Sequence, residues 1–446
     1  MAERREDALW IYVESRNPRV AYTFALLFEW VFPLSYRLTS EVEEWRNYSG
    51  PRLSYCRMNP DHSIPWLPAG VLLFESGIRV PEIKLEQEER LPCLFHRPAE
   101  GAVVPFDLPA MAFYLATRYE EYLPYTADRH GRFPASQSLA SRAGFLHIPV
   151  INRWVGRLVD QLKDRYPSWL VTRPAFRYLP TFDIDLAWAF LHRPWWVQAG
   201  GMGKALLQGR WVALRKRLET LRGRRPDPFF TFPLLRRLHP PGGSPEPVFF
   251  FLLGDYGSFD KNIPPSDPAF RSLVAGLARD YRTGIHLSYR SNREKTQIPV
   301  EIGRLAEISG LPVVRNRQHF LKLHLPETYR RLLSNGIRED YSMGYADDIG
   351  FRAGLANPFP WYDLERETST SLIVYPFQVM DVTLKNYLQW TPAEAWGPVR
   401  NLLEETYKAG GVFCTLWHNS SFGELEGWRP WIAFYQRLVE EATRLS

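Results

Sequence analysis

Six consecutive apolar residues, Val248-Phe249-Phe250-Phe251-Leu252-Leu253, narrow most sharply what this chain can become. The run has no polar alternation, so it does not suit a strand with one face in water. It is short for a helix and rich in aromatic side chains, as expected of a strand covered on both faces. It ends at Gly254-Asp255-Tyr256-Gly257, a breaker sequence that carries an acid. Strands buried on both faces belong to parallel sheets flanked by helices, and chemistry in such sheets sits at the carboxyl ends of the strands.

The surrounding sequence keeps this rhythm. Phe176 to Asp185 reads as a strand ending in two acids, Thr283 to Ser288 as a strand end carrying His286, and Pro312 to Arg315 as a short strand. Ser371 to Pro376 and Val412 to His418 complete the set. Helical patterns lie between them. Asp267 precedes Pro268 as an N-cap, Glu327 to Asn335 is closed by Gly336, and Thr391 to Ala409 is closed by Gly410-Gly411. Val300 to Ser309 and Trp428 to Ser446 are further helices. The alternation predicts an α/β fold with a mostly parallel sheet, and both an open sheet and a (β/α) barrel satisfy it. A basic, helical insertion interrupts the series near 195–246.

Before Pro174 the character differs. Apolar runs alternate with Pro-rich breaks, Asp107 to Tyr122 reads as a helix capped by Asp107, and Trp154 to Leu162 as another. Nothing there resembles a catalytic constellation, and His130 and His147 read as structural. The chain therefore divides into residues 1–172, a smaller α/β domain of unknown role, and residues 173–446. Its 446 residues, 45% hydrophobic and 23% charged, fit ordinary globular domains rather than a disordered chain. The net charge of +6 reads as spread along the chain, which gives no reason to expect a nucleic-acid partner. Cys56, Cys93 and Cys414 form no paired motif. No apolar run approaches the roughly 18 residues of a membrane span, and the N-terminus lacks a cleavable leader pattern, so the expected compartment is the cytoplasm. The sequence sets no oligomeric state.

Asp183 and Asp185 stand two apart at a strand end, which puts both on one face. Two carboxylates this close resist ionising together unless a cation lies between them. They suggest a divalent metal, or a base beside a ligand; the plainer alternative is a solvated turn. His286 and His418 close two further strands in matching positions, and His319 follows a fourth.

From Pro180 onward the ordered motifs resemble the polysaccharide deacetylase (NodB-homology) family. TFDID at Thr181–Asp185, GIHLSYRSN at Gly284–Asn292, GFRAG at Gly350–Gly354 and LWHN at Leu416–Asn419 carry the resemblance. FFLLGDYG, RQHFLK, DYSMGYAD and PFQVMD point to a divergent branch with an extra N-terminal domain, which residues 1–172 resemble. The resemblance implies a distorted (β/α) barrel and a metal-dependent hydrolase. Its action would be removal of N-acetyl or O-acetyl groups from a cell-surface or capsular glycan or its precursor.

Carried over by residue, the resemblance implies Asp183 as the base and Asp185 as the metal carboxylate. Ile184 separates two acids that the family keeps adjacent, so these roles are open to exchange. His286 matches the first metal histidine. Arg290 stands where the second is expected, and His319 is the available replacement. Arg352 would pair with Asp183, His418 would be the general acid, and Asp381 would orient it. The implied cofactor is a divalent ion, Zn²⁺ or alternatively Co²⁺ or Mn²⁺. Tyr289, Trp361, Tyr362 and Trp417 are candidates for stacking on sugar faces. Two other readings compete: a catalytically impaired glycan-binding homologue, and a nucleotide-sugar glycosyltransferase using Asp183-Ile184-Asp185 as its metal motif.

Overall fold

The computed structural model describes residues 8–446. The first part runs β1 (Leu9–Val13), α1 (Pro18–Ala25), β2 (Tyr36–Thr39), α2 (Val42–Arg46), β3 (Arg52–Cys56), β4 (Trp66–Pro68), β5 (Glu86–Glu88), β6 (Leu91–Cys93), α3 (Leu108–Ala116), α4 (Leu139–Arg142) and α5 (Val150–Arg165). The second part begins β7 (Arg177–Ile184), α6 (Trp195–Leu207), α7 (Trp211–Leu221), α8 (Phe232–Leu238), β8 (Val248–Phe251), α9 (Pro268–Asp280), β9 (Arg282–Leu287), α10 (Gln297–Ser309), β10 (Arg315–Gln318) and α11 (Glu327–Ser334). It ends β11 (Glu339–Asp340), β12 (Phe359–Asp363), β13 (Thr368–Val374), β14 (Val379–Met380), α12 (Pro392–Ala409), β15 (Val412–His418) and α13 (Arg429–Leu445).

Two main sheets result. The smaller is parallel, in the order β2-β1-β3-β4, and the larger runs β12-β13-β11-β10-β9-β8-β7-β15-β14. All neighbours in the larger sheet are parallel except the β12–β13 pair at one margin. No helix among the described residues is long and apolar enough to cross a membrane. The helix caps follow the local sequence. Asp267 accepts the Phe270 N–H ahead of α9, and Thr391 and Glu394 close a reciprocal capping box on α12.

Register decides what each strand offers to either side. Asp183 pairs with Phe250 and with His418, Phe250 with Gly284, and His286 with Arg317. Partners across a parallel ladder share a face, so period two puts Asp183, His286, Arg317 and His418 on one side of the sheet. Below them Leu179, Val248, Phe250, Cys414 and Leu416 fill that side with a small apolar cluster. A Cβ on Gly284 would come within 2.6 Å of the Phe250 ring, so glycine is needed there for the aromatic to lie in the interior. The opposite face, with Phe182, Phe249, Ile285 and Trp417, joins the main core beneath the helices.

The expected barrel does not close among the described residues. β12 and β14 remain unpaired on their outer edges, so the ladder is open. The sheet nevertheless curls until Phe377 N donates to Met343 O (3.0 Å), across the gap between the segment after β11 and the segment before β14. β11 and β14 have two residues each, too few to extend that contact into a ladder. Other boundaries also shift. The fourth strand of the series starts at Arg315 rather than Pro312, because Asn316, Arg317 and Gln318 are buried polar residues with internal partners. The helix read as Asp107 to Tyr122 ends at Ala116 and is followed by a 3₁₀ turn at Tyr119–Tyr122.

The two parts share one apolar core. α1 packs beside the β12–β13 margin: Tyr22 donates its hydroxyl to Pro360 O (3.0 Å), and Arg19 pairs with Glu367 (2.5 Å).

Candidate metal and acid–base site

Asp185, His286 and His319 converge at the carboxyl ends of β7, β9 and β10, with one ligand-type atom from each lying within 4.8 Å of the others. His286 Nε2 is 3.2 Å from Asp185 Oδ1, and His319 Nε2 is 3.6 Å from Asp185 Oδ2. Each imidazole is held from behind. His286 Nδ1 lies 3.0 Å from Arg317 O, and His319 Nδ1 lies 2.8 Å from Asp260 Oδ1. Such contacts fix the tautomer and turn both Nε2 atoms toward Asp185. Arg290, by contrast, pairs with Glu294 on the surface.

The donor set fits a divalent ion. Two imidazoles and a carboxylate are a common open site for zinc and for other first-row metals. Asp185 Oδ1 and Asp183 Oδ1 are buried and have no hydrogen-bond partner within the protein, an arrangement that a cation relieves. Charge points the same way. Asp183, Asp185, Asp260 and Asp381 lie beside the three histidines, while Arg317 approaches Asp183 at 3.8 Å and Arg132, at the cavity wall, is already paired with Asp128. Burial opposes charge on His319, yet Asp185 and Asp260 push its pKa up to about 9. Burial likewise opposes ionisation of Asp185, and the histidines around it, His319 first, hold its carboxyl well below the usual range.

His418 completes the ring. Its Nδ1 lies 2.9 Å from Asp381 Oδ1, its backbone N–H donates to Asp381 Oδ2 (2.8 Å), and its Nε2 is 3.7 Å from Asp185 Oδ2. Burial disfavours the imidazolium, but Asp381, with Asp185 and Asp183 beyond it, raises the His418 pKa to about 10. Asp381 is fully buried and also accepts the Ser421 hydroxyl (2.5 Å), which fixes the carboxylate that aims the ring.

Asp183 sits one layer deeper, its Oδ2 3.6 Å from His286 Nε2. The cation beside it is Arg317, not Arg352. Arg317 Nη1 is 3.8 Å from Asp183 Oδ1, Nη2 donates to Thr181 Oγ1 (2.8 Å), and the guanidinium lies over the Phe250 ring at 5.0 Å. Arg352 instead forms a buried two-pronged pair with Glu121 (2.9 and 2.6 Å) and donates to Gly344 O. The GFRAG segment therefore clamps the loop after β11 onto the N-terminal part, where Arg118 binds the same glutamate.

The aromatic candidates also move. Trp361 and Tyr362 lie buried on β12, Tyr362 against Tyr22 of α1 and Trp361 against Tyr329 of α11. Trp417 is next to His418, and strand alternation sends it to the opposite face, where it packs on Phe422, Trp431 and Tyr435. Tyr289 is buried against Phe259, ring centroids 4.2 Å apart, and does not line the cavity. None of the four offers an exposed stacking face.

A cavity of about 160 Å³ opens over this cluster, walled also by Arg132, Gln318, Phe320, Met380, Val382 and Tyr387. Arg132 comes from the N-terminal part, where no local motif marks it. It is steered by Asp128 (2.7 Å), Phe320 O (2.8 Å) and the Tyr387 hydroxyl (3.2 Å). Asp260 was equally hidden. The acid that stands out after the apolar run, Asp255, only pairs with Arg304 at the surface.

A family described as a family of unknown function (DUF7033) matches residues 9–167, about a third of the chain. No curated protein matches. Among solved structures, a protein from Mycobacterium smegmatis assigned as a polysaccharide deacetylase aligns at 15% identity and a TM-score of 0.37, over 60% of this chain and 84% of its own. A 4-alpha-glucanotransferase from Thermococcus litoralis aligns at 14% identity and a TM-score of 0.34, over 59% of this chain and 37% of its own. The allantoinase Puue aligns at 11% identity and a TM-score of 0.34, over 60% of this chain and 84% of its own.

Proposed function

We propose that the chain is a metal-dependent hydrolase that removes an acyl group, as acetate, from an acetylated sugar. The observation that carries this reading is the convergence of Asp185, His286 and His319 with Asp183 and the Asp381–His418 pair around one small cavity. Asp185, His286 and His319 are the residues that would hold a divalent ion. When bound, such an ion supplies Lewis-acid polarisation and brings the pKa of a bound water down toward about 7.

The chain's own residues account for the proton traffic. Asp183 is the proposed base, since its Oδ1 is buried without a hydrogen-bond donor and it faces the cluster beside Arg317. His418 is the proposed acid: Asp381 holds Nδ1, so Nε2 is the atom that delivers a proton to the departing amine or alcohol. The narrow cavity suits an acetyl group, with Met380, Val382 and Leu416 as apolar wall. The sugar half of the proposal rests on the motif resemblance alone, because the aromatic candidates lie in the core.

The test is acetate release. Protein loaded with Zn²⁺ or Co²⁺ is incubated with N-acetylated and O-acetylated oligosaccharides, and free acetate is measured. Metal-dependent release that Asp183→Asn eliminates supports the reading. Absence of acetate from every substrate removes it, and tight binding of the same oligosaccharides without release would then favour a glycan-binding protein.

A further inference from the structure

The insertion after β7 is unlike the rest of the surface. α6 buries none of its residues. Leu207 is 91% exposed, Trp195 77% and Trp211 65%, and every tryptophan of the exposed class among the described residues lies in α6 or α7. At about 3.6 residues per turn, Trp195, Trp196, Leu206 and Leu207 fall on one side of α6. The other side, with Val197, Gln198, Gly201, Met202 and Ala205, is half-buried and takes α7. Arg217 donates to Gln198 Oε1 (3.1 Å), and a Cβ on Gly201 would collide with that guanidinium. The helices thus pack through their half-buried sides and leave the Trp/Leu side of α6 bare.

Charge is concentrated in the same place. Residues 193–225 hold nine Lys or Arg and one acid, Glu219, a net charge of +8. The whole chain carries +6, so the remainder is slightly acidic and the even spread read from the sequence does not hold. Exposed Trp and Leu backed by clustered Lys and Arg are the composition of elements that lie in a membrane interface. We propose that the α6–α7 hairpin docks the protein onto an anionic bilayer surface. Two hairpins of charge +8 repel one another, which argues against a second copy as the occupant. A nucleic acid leaves Leu207 in water.

The hairpin stands at the active end of the sheet. Asp227 ties its two roots together, accepting the backbone N–H groups of Ala189 (2.7 Å), Phe190 (2.8 Å) and Leu191 (3.0 Å). Asn419, next to His418, donates to Leu186 O (3.0 Å) and Phe229 O (2.8 Å). Docking would therefore bring headgroups to the end of the sheet where the cavity opens. The docking itself does not depend on the hydrolytic reading.

Co-sedimentation of the full chain with phosphatidylcholine vesicles, with and without phosphatidylglycerol, tests this. Binding is expected only with the anionic lipid, to weaken with salt, and to shift tryptophan emission to the blue. Leu207→Glu with Trp211→Glu is expected to reduce binding more than tenfold, with circular dichroism and the thermal midpoint unchanged. Arg222→Gln and Arg224→Gln are each expected to cost about fivefold. The proposal is overturned if vesicles do not change sedimentation, or if the Leu207/Trp211 variant binds like the parent. It is also overturned if sedimentation velocity shows a dimer that this variant dissolves, or if a DNA duplex binds both proteins as tightly as the vesicles do.

Discussion

The carboxylate of Asp260 lies 2.8 Å from Nδ1 of His319 and also accepts the backbone N–H groups of Tyr289 and Arg290. One side chain from the loop after β8 thus sets a proposed ligand on β10 and the segment that follows β9. Removing such a partner typically lowers metal affinity by about 10–100-fold. Asp260→Ala is expected to bind Zn²⁺ or Co²⁺ more weakly by that factor, as measured by competition with a chelating dye. Affinity equal to the parent would exclude His319 from the site.

Asp183→Asn keeps the shape of the side chain and removes the base. Turnover is expected to fall by about 10²–10⁴, while metal content by elemental analysis and the thermal midpoint stay with the parent. Full activity in this variant would move the base to another residue.

Arg352 is predicted to act through stability. It and Glu121 are both buried, and losing one member of a buried pair costs about 3–5 kcal/mol. Urea denaturation of Arg352→Met should show a loss of that order. An unchanged midpoint with abolished turnover would return Arg352 to the catalytic machinery.

His239 supplies a pH dependence remote from the site. It is buried, takes the Tyr435 hydroxyl on Nε2 (2.7 Å) and has Nδ1 3.3 Å from Pro245 O. Burial pulls its pKa down to about 4 from the ordinary 6.5. The unfolded chain takes up the proton first as pH falls, so this contribution to stability is whole above about 6.5 and drains away toward about 4. It amounts to about 3 kcal/mol. His239→Gln should flatten the fall in unfolding free energy between pH 7 and pH 4 relative to the parent.

Strand ends were legible in the sequence because alternation and capping are local. Asp183, His286 and His418 stand where period two and register set them, and Asp185 follows directly after β7. What escaped depends on contacts distant in the chain. Arg352 meets Glu121 across 231 positions, and Arg132 meets Phe320 across 188. Trp361 and Tyr362 suggested a sugar platform, but α11 covers the first and α1 the second. His319 lay between, since its type and strand end were readable whereas its partner Asp260 was not.

The placement of α1 over the β12–β13 margin has a consequence for how the chain is handled. β12 is the outermost strand of the larger sheet, and all five of its residues are buried. Margins of this kind recruit other strands when uncovered. Cutting the chain near residue 172 would strip away Tyr22 and Arg19, uncover Tyr362 and leave β12 as a sticky, strand-shaped template. The N-terminal third forms a built-in sheath, and a fragment beginning after it should come out of cells as inclusion bodies rather than as a smaller folded protein.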